Sequence, residues 1–524
     1  MPQHIQLRLP LEDVAHDENI RQQAARALKI TTNKITAVQC LRRSIDARGK
    51  QIYIQLQLAV FIEEEFVDSF AFTPRLQSVH NQPEVIIAGA GPAGLFAAIR
   101  LIENGIRPIL IERGKDVRSR RRDLAAMNKQ GFVHPDSNYC FGEGGAGTYS
   151  DGKLYTRSSK RGNILRCLQW FHYFGADSSI LYEAHPHIGT NKLPGIITNI
   201  RQKIEECGGV VLFNSSLTDL KLNDGKLTAV IINHSQVIKA NRLILATGHS
   251  AHNIFTLLDK KNILITSKPF ALGVRIEHPQ ALIDQAQYHC APKTSRNALL
   301  PPASYSLVSQ EKGRGVFSFC MCPGGIIAPA ATEEGALVVN GWSPSKRDNP
   351  YANSGMVVTV DEKDFAAAGF TGALAGLHFQ QSVEQKAWQY GGGQLKAPAQ
   401  RVSDFVRKIT SSTLPDCSYL PGVTSTKVHE ILPNSVYESL AAGFVTFGKK
   451  IKGFFSDQGL VVATESRTSS PVRIPRDKNS LQHPQVKGLY PCAEGAGYAG
   501  GIISAAMDGE LVADAIVQEI KKTS

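Results

Sequence analysis

Residues 85–94 read VIIAGAGPAG, and eighteen positions beyond Gly94 an apolar run ends in Glu112. This pairing can hold an adenine dinucleotide. Gly89 permits a tight turn, Gly91 lets backbone approach a pyrophosphate, and Gly94 lets the next helix pack close to its strand. Ala90, Pro92 and Ala93 complete the loop, and Pro92 suits a first helical turn. A helix from 92 to about 104 then points its amides and dipole at the phosphates, and Gly105 stops it. Residues 108–112, PILIE, read as a second strand that delivers Glu112 to ribose hydroxyls, with Arg113 beside it. A bare glycine fingerprint is a weak signal. Strand, loop, helix, strand and terminal acid in this order are specific.

Two further stretches match the glycine pattern, Gly142 to Gly147 and Gly495 to Gly500. The first follows a poorly strand-like run. Only 24 residues follow the second, too few for another strand-helix-strand unit. Both therefore read as loops that complete one site, which favours FAD over NAD, because a flavin ring must be cradled far from the first fingerprint. Gly144, Gly145, Ala146, Gly147, Ser150, Asp151, Gly152 and Lys153 would run past the pyrophosphate toward that ring. Glycines there admit backbone amides at distances a Cβ forbids. Lys153 either stabilises charge on the reduced ring or is a surface lysine. Thr247 and Gly248 would end a strand beneath the adenosine half, and Glu494 and Gly495 would meet the ribityl or phosphate portion. Gly500, Gly501 and Ile502 would aim a helix N-terminus at the pyrimidine edge.

Other chemistry-bearing residues are ambiguous. Cys320 and Cys322, in FCMCPGG, are either small residues of a strand or thiols near the flavin that act in redox or proton transfer. At i and i+2 of an extended strand they share a face but lie too far apart for an easy disulfide. Cys140 and Cys492 flank the supposed flavin loops. Arg467, in ESRTSSP, either orients an anionic substrate through bidentate bonds or ion-pairs within the fold, and Arg473 poses the same choice. Arg275, Glu277 and His278 present an acid–base group, although a histidine before proline is more often structural. No His/Cys set has zinc or iron–sulfur spacing, so no metal is expected.

These residues need elements to hold them. Residues 1–78 read as a small α+β, ferredoxin-like module, with strands at 4–9, 36–44 and 51–61 and a helix at 17–27. A Rossmann-like FAD-binding domain spans 84–260 and 449–524. Segments 210–213, 217–222, 227–233 and 237–240 form its meander, read as three-stranded, turning at Asn223-Asp224-Gly225. Residues 243–248 give another buried strand. An α+β substrate or cap domain is inserted over 261–448. The chain then returns to the first domain through 459–464, a strand at 488–492 and a last helix from 502 to about 521.

Composition sets outer limits. The chain has 524 residues, 42% of them hydrophobic and 20% charged, as in ordinary globular proteins of two or three domains. A net charge of +12 admits nucleic acid, but it fits a basic enzyme with anionic ligands better. The dense cluster Arg118, Arg120, Arg121 and Arg122 has no interleaved aromatics, and it reads as a helix surface or a contact for a partner's acids. The start MPQHIQLRLP has no secretory h-region, no apolar run is long enough to span a membrane, and the nine cysteines are odd in number and scattered. A cytoplasmic protein is expected.

With these residues in view, the chain resembles the uncharacterised FAD-dependent, or NAD(FAD)-utilizing, dehydrogenases. The resemblance runs through GAGPAGLFAA, FGEGGAGTYSDGKL, GTNKLPGI, SKPFALGVRIEHPQ, FSFCMCPGG, GGGQLKAPAQR, ESRTSSPVRIPRD and EGAGYAGGIISAAMDG, from residue 84 to about 515, and extends to the N-terminal module. Cys140 is not expected from that family's pattern. The resemblance implies a glutathione-reductase-like FAD domain, an inserted α/β domain, bound FAD and an oxidoreductase role, and supplies no substrate. The expectation is hydride or electron transfer through flavin to a small molecule, for which an anion is one candidate, with NAD(P)H as a transient donor. The alternative is a flavoprotein whose FAD is structural or redox-sensing and which binds RNA or a protein partner.

Overall fold

The computed structural model describes all residues except 157–161, 292–293 and 524. Its centre is a five-stranded parallel sheet in the order Leu489–Pro491, Leu243–Leu245, Glu84–Ala88, Arg107–Ile111 and Val210–Leu212. The strands are almost wholly apolar because both faces are covered. One face carries the helices Pro92–Glu103, Leu193–Glu206 and Ile502–Thr523, with Phe96, Ile200 and Ile516 in its core. Gly509 lets the last helix settle on the first, because a Cβ there would lie 2.1 Å from the Ala93 carbonyl oxygen. The other face is covered by an antiparallel sheet of Leu217–Asn223, Lys226–Ile232 and Gln236–Lys239. Segment 210–213, grouped with the meander in the sequence reading, instead joins the edge of the parallel sheet. Short strands leave periodicity too few residues to separate the two placements.

A second sheet of seven strands lies in the inserted region. Its order is Val308–Glu311, Arg314–Cys322, Tyr351–Val360, Phe270–Pro279, Leu460–Glu465, Ala397–Arg401 and Val423–Ser425. Leu460–Glu465 corrects the domain reading: residues 459–464 do not return the chain to the FAD-binding domain, but pair with Phe270–Pro279 and Ala397–Arg401 deep in this sheet. LVVATE is buried along its whole length, and a fully buried strand carries no mark of the sheet that buries it. The insertion thus ends near residue 471, where Val472–Arg473 pairs antiparallel with Thr266–Ser267 and the chain re-enters the first domain.

The N-terminal strands Gln3–Pro10, Ile35–Asp46 and Tyr53–Ile62 form an antiparallel sheet in the order first, third, second, with helix Asp17–Leu28 against it. Its apolar face does not close on itself. Leu9, Ala24, Ile54 and Leu58 share one continuous core with Leu272, Val358 and Phe444 of the insertion. The strand containing Arg43 also bonds to the first domain, giving its amide to Tyr182 O (2.8 Å) while its carbonyl accepts from the Ala184 amide (2.9 Å). Among the described residues, no helix is long and apolar enough to cross a membrane.

Candidate functional site

A cleft of about 280 Å³ runs along the carboxyl ends of the parallel strands and under the edge of the second sheet. This is where an open α/β sheet offers a ligand both loop amides and helix N-termini. At one end the three fingerprint glycines divide the work. Gly89, at φ 104°, presses the loop onto the next strand, since a Cβ would sit 2.4 Å from Ala246 O. A Cβ on Gly94 would be 1.9 Å from Gly89 O, so that glycine joins helix to strand. Gly91 faces space, its nearest neighbour being Gly145 Cα at 3.9 Å from a built Cβ. Pro92 and Ala93 follow it along the cleft wall, while Ala90 and Gly94 lie behind.

Glu112 lines the cleft at 5% exposure and accepts from the amides of Ala90, Gly114 and Gly142, each at 2.9 Å. Its carboxylate ties the fingerprint to two later turns. A carboxylate has about four acceptor positions, so capacity remains for a sugar hydroxyl. Arg113 lies over the Phe141 ring at 4.1 Å and is held by Asp136 and Asn253.

The second glycine loop belongs to the same site. Gly144 donates to Ala90 O at 2.8 Å, and the turn Gly145–Gly147 lies against Gly91, Pro92 and Ile502. Gly145, Ala146 and Gly147 line the cleft, and Gly144 supports them from behind. Arg120 corrects the surface reading of the arginine cluster. It is fully buried and donates to the carbonyls of Asn138 (2.8 Å), Tyr139 (3.0 Å) and Glu143 (2.8 Å), so it fixes the loop from inside. Helical spacing alone does not reveal which of four clustered arginines turns inward.

Thr247, Gly248 and Glu494 reach the cleft from the ends of two neighbouring strands, and Gly501 and Ile502 reach it from the start of the last helix. A Cβ on Gly248 or Gly501 would meet nothing within 4 Å. Three glycines from distant parts of the chain, Gly91, Gly248 and Gly501, thus leave a hollow that side chains would fill. The residues present fit a long dinucleotide. Gly495 and Gly500 act indirectly: a Cβ on Gly495 would meet Gly248 backbone at 2.8 Å, and one on Gly500 would meet Glu494 at 3.3 Å. His249, which the sequence reading passed over, also lines the cleft and faces Glu494 at 3.5 Å. It directly follows Thr247-Gly248, and that position was the one signal available.

At the far end Ser150, Asp151, Gly152 and Lys153 meet the bulged strand Arg314–Cys322. The Lys153 ammonium donates to Met321 O and lies 4.0 Å from Asp151, which also pairs with Arg347 at 2.7 Å. Burial opposes the charge on Asp151, yet Lys153 and Arg347 outweigh it and hold the carboxyl below its ordinary range. Two cations against one carboxylate leave this end positive. Cys320, at φ 44°, presents its side chain to the cleft, its carbonyl held by Arg275 at 2.7 Å. Burial pushes the Cys320 thiol up to about 11 and raises Cys322 as well, with Lys153 acting the other way. Both cysteines are free and, at neutral pH, thiols. Cys322 is buried in its strand, whereas Cys320 is exposed at the cleft, so the raised thiols disfavour a resident thiolate and leave both readings of the pair standing.

Arg467 touches the cleft, but its guanidinium is committed. It grips Glu384 through Nε (3.1 Å) and one terminal nitrogen (2.9 Å), and it donates to Thr332 through the other. The substrate-orienting reading gives way to the intramolecular one. Arg275 is likewise internal, pairing with Glu465 at 2.5 Å. Glu277 binds Ser418, and His278 faces Phe454 O at 2.9 Å with its pKa lowered to about 4 by burial. None of these three lines the cleft. Among the described residues no cluster of His, Cys, Asp and Glu could hold a metal ion.

A parallel sheet, a glycine-walled cleft along its carboxyl ends and matches to FAD-binding families define a protein that binds FAD. Residues 82–126 match the FAD binding domain family, 269–468 match the family described as FAD-dependent protein, C-terminal domain-like, and 1–61 match a domain of unknown function. The chain belongs to the family of an uncharacterized protein from Clostridium beijerinckii, to which it is 40% identical over 539 residues, covering 98% of each. It is also 26% identical over 187 residues to the thiamine thiazole synthase of Aeropyrum pernix, covering 33% of this chain and 57% of that one. Similar solved structures include the halogenase PltM with FAD (TM-score 0.37, 11% identity, 84% and 71% of the two chains). The flavin-dependent brominase Bmp2 gives a TM-score of 0.38 and 12% identity over 84% and 80%. Likenesses of this size carry no reading of the reaction.

Proposed function

We propose that the protein is an FAD-dependent oxidoreductase, acting on a small molecule at the end of the cleft remote from Glu112. The observation that carries this is the placement of opposite chemistries at the two ends of one hollow, with an amide-gathering acid at one and the Lys153–Asp151–Arg347 group at the other. In this reading Gly91, Pro92, Ala93 and the turn Gly145–Gly147 hold the pyrophosphate. Glu112, Arg113, Thr247 and Gly248 hold the adenosine, and Glu494 the ribityl. Lys153 and the helix start at Gly501 and Ile502 supply positive potential where reduction places negative charge. Bound FAD contributes the two-electron chemistry. The described residues hold no second nucleotide-binding sheet, so a nicotinamide donor would visit the same cleft transiently. Nine free cysteines suit a reducing compartment, and we place the protein in the cytoplasm.

Anaerobic mixing with NADH or NADPH tests the proposal, with bleaching of the flavin absorbance as the expected result. A yellow protein that no nicotinamide or small-molecule donor bleaches, and that binds RNA in a salt-sensitive manner, overturns it in favour of a structural or sensing flavin.

A further inference from the structure

A side chamber of about 50 Å³ opens from the cleft, sharing with it the walls formed by Cys140, Ser150, His249 and Arg467. At roughly 10–15 Å³ per water, it has room for about four waters, which is a fragment of a ligand and not a whole one. Its own walls are three aromatic rings, Tyr139, Tyr149 and Trp342, with Ala328, Val338 and Val339 between them. Both tyrosine hydroxyls are engaged elsewhere: Tyr139 accepts from Asn128 at 2.9 Å and Tyr149 donates to Val117 O at 3.0 Å. The rings therefore offer the chamber mainly their carbon surface.

Every charge on the wall is already paired. Arg467 is held by Glu384, Glu465 by Arg275, and His249 faces Glu494. A charged ligand would lose its water and meet no free opposite charge, which is strongly unfavourable. Among the buried polar atoms of the wall, one lacks a partner. Trp342 Nε1 is buried and makes no hydrogen bond of normal geometry, although it lies near the Tyr139 hydroxyl. An indole nitrogen can only donate, and a buried donor without an acceptor is costly.

We infer that the chamber seats the reacting end of an uncharged substrate, an aromatic or similarly flat apolar group bearing one hydrogen-bond acceptor for Trp342. The inference rests on the cleft being the flavin site and names the substrate class that site takes. Aromatic walls favour a ring through edge and face contacts, and the Trp342 donor orients it.

Ligand-observed saturation-transfer NMR on the full chain tests this with phenol, its isostere toluene, and benzoate. Phenol is expected to bind several-fold more tightly than toluene, and benzoate not to bind. Trp342→Phe keeps a ring in place and should weaken phenol about fivefold to tenfold while leaving toluene unchanged. Ala328→Leu narrows the chamber and should abolish both. Phenol binding unaffected by both substitutions overturns the site, and benzoate binding as well as phenol overturns the neutral class. Flavin absorbance of the same samples keeps the two proposals apart: protein that is never bleached yet binds phenol through Trp342 loses the oxidoreductase reading and retains the chamber.

Discussion

Arg467 and Lys153 both stand at the cleft, yet their partners give them different work. The Arg467–Glu384 pair is almost wholly excluded from water, so removing one member strands a buried charge. Arg467→Met should therefore lower unfolding free energy by about 3–5 kcal/mol in denaturant titration, with flavin lost only as the fold is lost. Lys153 lines the cleft and is partly exposed there. Lys153→Met is expected to retain flavin while its midpoint potential falls by roughly 30 mV or more, a tenfold change for a two-electron couple; spectroelectrochemistry reads the shift. From the chain alone Lys153 was a lysine in a glycine-rich loop and Arg467 a polar residue near the returning segment. The glycine turns were legible because they obey local rules of backbone geometry. The fates of Arg467, Arg275 and Arg120 were not, since each depends on a carboxylate or carbonyl brought from elsewhere in the fold.

Elements read well wherever two independent signals agreed. The strand Glu84–Ala88 and helix Pro92–Glu103 carry an apolar run, a glycine turn and a proline at the helix start, and they form where the sequence places them. Their junction tolerates no extra atom. Gly94→Ala must move helix from strand to relieve a 1.9 Å contact, an overpacking cost of about 1–3 kcal/mol, and should yield protein with reduced thermal stability and sub-stoichiometric flavin. Leu460–Glu465 carried one signal only, continuous burial, and that misassigned it to the wrong sheet.

At the scale of the whole molecule, titration and cooperativity follow from how the parts share cores. Glu510, on the helix Ile502–Thr523, pairs with Arg166 of Ile164–Tyr173 at 3.0 Å; burial nonetheless pushes its carboxyl up to about 7. The unfolded chain releases that proton near pH 4.3, roughly. Between these values the folded state binds more proton, so Glu510 costs stability increasingly as pH rises to about 7 and by a constant amount above it. Glu510→Gln should raise the thermal midpoint at pH 8 and leave it unchanged at pH 4. His187 and His278, both lowered to about 4 by burial, act in the opposite sense and lose stability as pH falls below their ordinary range. The N-terminal module shares its core with the insertion, so calorimetry should show the two melting in one transition, with no early peak for residues 1–62.

The pairing of Thr266–Ser267 with Val472–Arg473 brings departure and return of the chain to adjacent strands, which run about 5 Å apart. Everything between is a cassette, and the matched region 269–468 nearly coincides with it. A tight turn spliced across that neck would close the nucleotide-binding half without displacing any of its five strands. Exchange of one cap for another would need chain junctions only at this neck, so substrate choice and cofactor grip can evolve on separate schedules.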